Sequence, residues 1–164
     1  MAKDADVFVI AAVNRYHLDM ATAITKAHRA FPSQAFICDA LKGYDDLALM
    51  QRGRQIATAM REHLPADYAK AINILVRSFG PKNERWDGGD DTEGLGSFFY
   101  LPHVFFIAEH GLDHFEASMA AQYELTQRFT AEWSIRPYLE QYPDRKSTRL
   151  NSSHVSESRM PSSA

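Results

Sequence analysis

Residues 49–79 read LMQRGRQIATAMREHLPADYAKAINILVRSF and contain two apolar stripes with a proline between them. In the first stripe, apolar or small residues recur every three or four positions from Leu49 to Leu64, and the second stripe repeats that spacing. This period is typical of an amphipathic helix. Pro65 ends the first helix, because proline has no N–H to continue the hydrogen-bond ladder. The stretch therefore predicts two helices joined by a very short turn, an antiparallel helix pair.

The sequence before this pair continues the helical pattern. Apolar residues at helical spacing predict a helix over residues 15–30, which a Phe-Pro-Ser break ends. Ser33 is then a candidate N-cap for a short helix, and Gly43 a candidate C-cap, since serine and glycine favour those positions. No segment shows the alternation expected of a half-buried strand.

The sequence after the pair begins with a polar stretch and then returns to helices. Residues 82–96 contain four glycines and predict an exposed loop. Pro102 suits the first turn of a further helix, and Gly111 separates that helix from a longer one. Pro137 either kinks this last helix or starts a short terminal one.

Successive helix pairs with short turns predict an all-α fold. Periodicity alone leaves two architectures open, a HEAT-like α-solenoid and a compact helical bundle. The chain has 164 residues, of which 45% are hydrophobic, enough for one domain with a core. Its single cysteine, Cys38, excludes an internal disulfide and suits a reducing compartment. The early apolar run over residues 7–13 is too short to span a bilayer, so we expect a cytoplasmic protein.

The last 21 residues, DRKSTRLNSSHVSESRMPSSA, differ in character from the rest. They are rich in serine, lack aromatic residues and show no apolar period, so they cannot contribute to a core. They also resemble the translation of a sequencing-adapter read, and we therefore expect residues 144–164 to be an unstructured, non-native tail. Four of the 18 basic and two of the 21 acidic residues lie there, which leaves 14 and 19 and a net charge of −5. That acidity argues against a stand-alone nucleic-acid binder.

Two local patterns could carry chemistry. His110 and His114 lie four apart with Asp113 between them, a spacing that can bind a divalent metal on one helical face. Gly111 favours a helix boundary instead, so no metal site is predicted. The second pattern is a pair of glutamates, Glu124 and Glu132, each followed four residues later by an arginine. Its simplest interpretation is two intrahelical ion pairs.

The segment GLDHFEASMAAQYELTQRFTAEWSIRPYLEQYP, Gly111 to Pro143, resembles the one that marks the AlkC branch of the DNA alkylation repair glycosylases. Two upstream segments, GYDDLALMQRGRQIATAMREHLPADYAKAINIL and GLGSFFYLPHVFFIAEHGLDHF, resemble the same branch. The likeness runs from about Phe31 to Pro143. It implies a HEAT-like repeat protein that binds double-stranded DNA and hydrolyses the N-glycosidic bond of cationic alkylated bases such as 3-methyladenine. It implies no metal or organic cofactor.

Residue by residue, the resemblance implies a catalytic role for Glu132, which matches a glutamate of the branch. Trp133 stands where the branch usually has phenylalanine. Arg128 and Arg136 are candidates for contact with DNA phosphate, and ion pairing with Glu124 and Glu132 is the alternative.

The branch continues with further helix pairs and a second acidic and tryptophan motif, for which this sequence has the serine-rich tail. We therefore expect residues 1–143 to be the N-terminal part of a repeat domain. This part should be inactive alone and prone to self-association through its uncovered last helix. The alternative function is a non-enzymatic helical-repeat scaffold that binds a protein partner.

Overall fold

The computed structural model describes residues 18–82 and 99–145, and within these ranges it is helical with no strand. Its helices are α1 (18–27), α2 (Ser33–Ala40), α3 (Leu49–His63), α4 (Tyr68–Ser78), α5 (Leu101–His110), α6 (Phe115–Thr126) and α7 (Glu132–Gln141), with a short 3-10 helix at Tyr44–Asp46. The all-α prediction is confirmed. Nearly all of the predicted loop at 82–96, and the tail from residue 146, lie outside the described residues. No helix in the described ranges is both long and apolar enough to cross a membrane.

Helices α3 and α4 form where the two apolar stripes predict them. α3 ends at His63, two residues before Pro65, and α4 begins at Tyr68. Asp67 caps α4, because its carboxylate accepts a hydrogen bond of 3.0 Å from the backbone N–H of Lys70. The turn between the helices is therefore both short and capped.

The predicted caps of α2 are wrong. The carbonyl of Pro32 accepts the N–H of Phe36 at 3.0 Å, so the helix begins at Ser33 and the Ser33 side chain makes no capping bond. At the other end the C-cap is Leu41, two residues before the predicted Gly43. Gly43 has a φ of 67°, a left-handed conformation that starts the 3-10 helix instead.

Neither alternative for Pro137, a kink in one long helix or the start of a short terminal helix, describes the structure, in which this part of the chain forms two helices, α6 and α7. The N–H groups of Gln127 and Arg128 bond to carbonyls three residues back, which tightens the chain and ends α6. α7 begins five residues before Pro137, which lies inside it. Pro137 therefore does not start the terminal helix.

The helices pack in two rows, as in a HEAT-like helical repeat. α3, α5 and α7 lie side by side in one row, with α2 against α3, while α4 packs against α6 in the other. The core lies between the rows and includes Met60, Phe106 and Leu125, all fully buried. α3 and α5 approach closely at Gly53, where an added Cβ would lie 3.0 Å from the side chains of α5. The solenoid alternative is thus confirmed for the described residues.

A buried cluster of three hydroxyls, which we call the hydroxyl cluster, surrounds Gly111 after α5. The Tyr68 and Ser118 hydroxyls are hydrogen-bonded at 2.9 Å, and Ser118 donates to the Gly111 carbonyl at 2.9 Å. Tyr138 donates to the Ile107 carbonyl at 2.7 Å. Burial raises the pKa of Tyr68 and of Tyr138. The cluster therefore joins α4, α5, α6 and α7 through one small polar centre.

Candidate functional site

A groove of about 270 Å³ runs along the row formed by α3, α5 and α7. Its walls combine aromatic and charged side chains from all three helices: Arg54, Phe105, Ala108, Glu109, Trp133, Arg136, Pro137 and Glu140. The groove begins at the N-terminal half of α7, where the predicted catalytic residue lies. It is therefore the candidate site.

One wall of the groove is held by Arg54 of α3. Its Nε lies 3.0 Å from Oε1 of Glu109 on α5, and its guanidinium lies 4.9 Å above the centre of the Phe105 ring. The Arg54 side chain is still 59% exposed, so its charge faces the groove and solvent. This pair was not predicted from the sequence, because residues 55 apart leave no local spacing signal.

The opposite wall begins with Trp133, and Glu132, the first residue of α7, lies next to it in the chain. Nη2 of Arg136 lies 2.6 Å from Oε1 of Glu132, which confirms the predicted pair at i and i+4. Both side chains are more than half exposed, so the pair contributes only about 0.3–0.5 kcal/mol. The Glu132 carboxylate is thus at the surface, where a ligand can reach it.

Trp133 gives this wall an aromatic face. The Trp133 side chain is half exposed, and the Arg136 guanidinium lies 5.4 Å from the centre of its ring system. Arg136 therefore contacts both the Glu132 carboxylate and the indole. The charged residues that line the groove are Arg54, Arg136, Glu109 and Glu140, which sum to a formal charge of zero. Glu132 adds one negative charge beside the groove.

Arg128 lies elsewhere, between the end of α6 and the segment after α4. Its side chain is 9% exposed and donates to the carbonyls of Gly80 and Glu124, each at 2.6 Å. Its Nη1 also lies 3.2 Å from Oε2 of Glu124, so the predicted ion pair is present. Contact of Arg128 with DNA stays a prediction, and in the structure this arginine joins α4 to α6 within one helix row.

In the structure, His110 and His114 pack against different aromatic residues. Gly111 is the C-cap of α5, which confirms the predicted helix boundary. The His110 ring packs edge-on against Phe106, and burial lowers the pKa of His110. The His114 ring stacks on Tyr68 with 4.8 Å between centres. In the described part of the chain, neither histidine belongs to a group of three side chains able to bind a metal.

Comparisons with known proteins agree with this fold. No family model matches the sequence. The uncharacterized protein YhaZ of Bacillus subtilis (strain 168) is 29% identical over 99 residues, which are 60% of this chain and 24% of YhaZ. Among solved structures, the Pseudomonas fluorescens alkylpurine DNA glycosylase AlkC, bound to DNA containing an abasic site analog, superposes with a TM-score of 0.67 at 22% identity. That match covers 90% of this chain and 36% of AlkC.

These matches define the class of fold. The chain has an AlkC-like helical-repeat fold, and it spans about a quarter of YhaZ and about a third of AlkC. The identity to AlkC is that of a distant structural neighbour, so the likeness speaks for the fold alone.

Proposed function

We propose that this chain is part of a DNA glycosylase that excises cationic alkylated bases, such as 3-methyladenine, by hydrolysis of the N-glycosidic bond. Its partner is double-stranded DNA that carries the damaged base. Glu132 supplies the catalytic carboxylate. The chain supplies only part of the active site and does not catalyse the reaction alone.

The proposed chemistry needs a carboxylate and little else. A base alkylated at a ring nitrogen carries a positive charge, so it departs as a neutral molecule when the bond to the sugar breaks. The sugar develops oxocarbenium character, which a nearby carboxylate stabilises. The same carboxylate orients water toward the anomeric carbon and accepts the proton that the water loses as its oxygen bonds to that carbon. The products are a free base and an abasic sugar.

The observation that carries the proposal is the exposed Glu132 carboxylate beside the half-exposed Trp133 indole. A carboxylate next to an aromatic face is suited to a flat, positively charged base, which the ring attracts through its quadrupole. The groove lining itself is neutral, and Glu132 adds beside it the negative charge that attracts a cationic base. The fold neighbour AlkC, whose bound DNA contains an analog of the abasic product, gives independent support.

Arg136 has a defined role in this proposal. In the free protein its guanidinium occupies one oxygen of Glu132, and a cationic base would compete with it for the carboxylate. Once displaced, the arginine is free to contact a phosphate of the bound DNA. The exposed ion pair is weak, so this exchange costs little.

The test is release of 3-methyladenine from methylated duplex DNA, measured by chromatography. The longer protein encoded by the parent gene should release the base, and Glu132→Gln should slow release by at least about 100-fold, the usual cost of losing a group that stabilises transition-state charge. Glu116→Gln is the matched control, because Glu116 is an exposed glutamate on α6 away from the groove. It should leave release unchanged.

Two results would contradict the proposal at different points. Unchanged release in a folded Glu132→Gln variant would remove the role assigned to that residue. No release by the longer protein, on any alkylated substrate, would reject the glycosylase and favour the scaffold function.

A further inference from the structure

A second group of chemically active side chains lies where α2 meets the end of α3. Asp39 comes from α2, and Glu62 and His63 come from the last turn of α3. Each offers one potential ligand atom, and these atoms all lie within 4.8 Å of one another. None of the three residues lines the groove described above.

Neighbouring residues hold two of these ligands in place. The Nε2 atom of His63 lies 2.7 Å from Oδ2 of Asp39, and the His63 side chain is only 16% exposed. Its ring packs edge-on against Phe36, with 6.5 Å between the centres. Gln55 donates a hydrogen bond of 2.9 Å to the Asp39 carbonyl. The imidazole and the aspartate are therefore oriented before any ligand binds.

A histidine–aspartate salt bridge accounts for only two members of the group. The Glu62 side chain forms no hydrogen bond and no ion pair with any other residue in the part of the chain that the structure describes. Over the same residues, no lysine or arginine pairs with the side chain of Asp39. Two carboxylates thus lie close together with one imidazole between α2 and α3, and nearby like charges disfavour each other. A divalent cation would remove this repulsion.

We propose that Asp39, Glu62 and His63 form a Zn²⁺ site that clamps α2 to α3. One imidazole and two carboxylates are donors that zinc accepts, and solvent completes the fourth position because the Asp39 carboxylate is 47% exposed. Zinc bound to these donors at about 2.0–2.1 Å needs them roughly 3.3 Å apart. Asp39 then moves slightly away from His63, and the exposed Glu62 side chain rotates inward.

The test uses the tag-free chain, freed of metal with EDTA and dialysed. Titration with ZnCl₂ in a calorimeter should show one equivalent bound, and the melting temperature should rise to a plateau that EDTA reverses. Glu62→Gln and His63→Ala should each weaken binding at least about tenfold. His28→Ala, which removes a histidine outside the group, should bind zinc as the parent does.

Glu62→Gln is the decisive variant, because Glu62 has no contact whose loss would unfold the described part of the chain. Parent-like zinc affinity in Glu62→Gln would overturn the proposal and leave an ordinary salt bridge between Asp39 and His63. Failure of the parent to bind zinc at micromolar concentration, or an equal loss in His28→Ala, would overturn it as well. Because the ligands lie outside the groove, each of these results is independent of the glycosylase test.

Discussion

Substitution of Gly111 by alanine tests the packing of the hydroxyl cluster. The backbone at Gly111 has φ −102° and ψ −1°, a conformation that any residue adopts. The backbone alone therefore predicts that alanine stabilises the protein by about 0.4–1 kcal/mol, because it restricts the unfolded chain. The packing around Gly111 predicts instead that alanine destabilises the protein. A Cβ at this position would overlap the hydroxyls of Tyr68, Ser118 and Tyr138.

The steric effect should win. Forcing one extra methyl group into a packed interior costs about 1–3 kcal/mol. Displacing the hydroxyls also breaks at least one buried hydrogen bond of the cluster, worth about 1 kcal/mol each. After subtracting the backbone gain, Gly111→Ala should lower the free energy of unfolding by about 1–3.5 kcal/mol, which corresponds to a fall in melting temperature of roughly 3–12 °C.

Urea unfolding, followed by circular dichroism, measures this change. Adding Ser118→Ala removes one of the three overlapping oxygens, so the double variant should recover about 1 kcal/mol relative to the sum of the single changes. Gly43→Ala is the matched control. Gly43 faces open space but has a positive φ, so alanine there should cost about 1–2 kcal/mol through backbone strain, with no coupling to Ser118. A Gly111→Ala variant as stable as the parent, or additive with Ser118→Ala, would refute the reasoning.

Four further outcomes are expected. Arg128→Ala should lower the free energy of unfolding by about 2–3 kcal/mol, because two partly buried carbonyls lose their charged donor; an unchanged urea midpoint with weaker DNA binding would instead support the predicted phosphate contact. Arg136→Ala should change that free energy by less than about 0.5 kcal/mol, since its ion pair is exposed; a larger loss in the same assay would contradict a weak pair. Burial lowers the pKa of His103 to about 3, so the unfolded chain binds a proton that the folded chain does not, and stability should fall as the pH decreases from about 6.5 toward 3. His103→Leu should flatten that part of the urea-measured profile, and an equal slope in both proteins would exclude this cause. Tyr123 and Leu139 are exposed on the last two helices, so sedimentation should show concentration-dependent self-association, whereas a monomer at all concentrations with a sharp two-state melt would argue against it.

Predictions from the sequence were most accurate where a single local rule determines the structure. The stripe from Leu49 to Leu64 predicted the position of α3, because an amphipathic period and a following proline act over neighbouring residues. The pair of Glu132 and Arg136 was likewise predictable from its spacing within one helix turn. The predicted N-cap role of Ser33 was wrong because the helix starts one residue earlier than predicted. The carbonyl of Pro32 accepts the first helical hydrogen bond, from the N–H of Phe36.

Contacts between helices that are distant in the sequence could not be predicted from such local rules. Arg54 and Glu109 meet only because α3 and α5 are neighbours in one row, and Asp39 meets His63 for the same reason between α2 and α3. Gly111 shows a subtler limit. Its place at a helix end was predicted from backbone preference, but its φ is ordinary, and the structure requires glycine there because three hydroxyls fill the space.

The hydroxyl cluster has a consequence for how the repeat unfolds. In a helical-repeat protein each unit contacts mainly its neighbours, so units can open one at a time from an end. Here Ser118 and Tyr138 donate to carbonyls at the end of α5, and Tyr68 is hydrogen-bonded to Ser118. Releasing any one of these helices would leave buried polar groups on the others without a partner. The free energies of local opening for α4 to α7 should therefore converge on a single value, so that this stretch behaves as one cooperative unit and not as separable repeats.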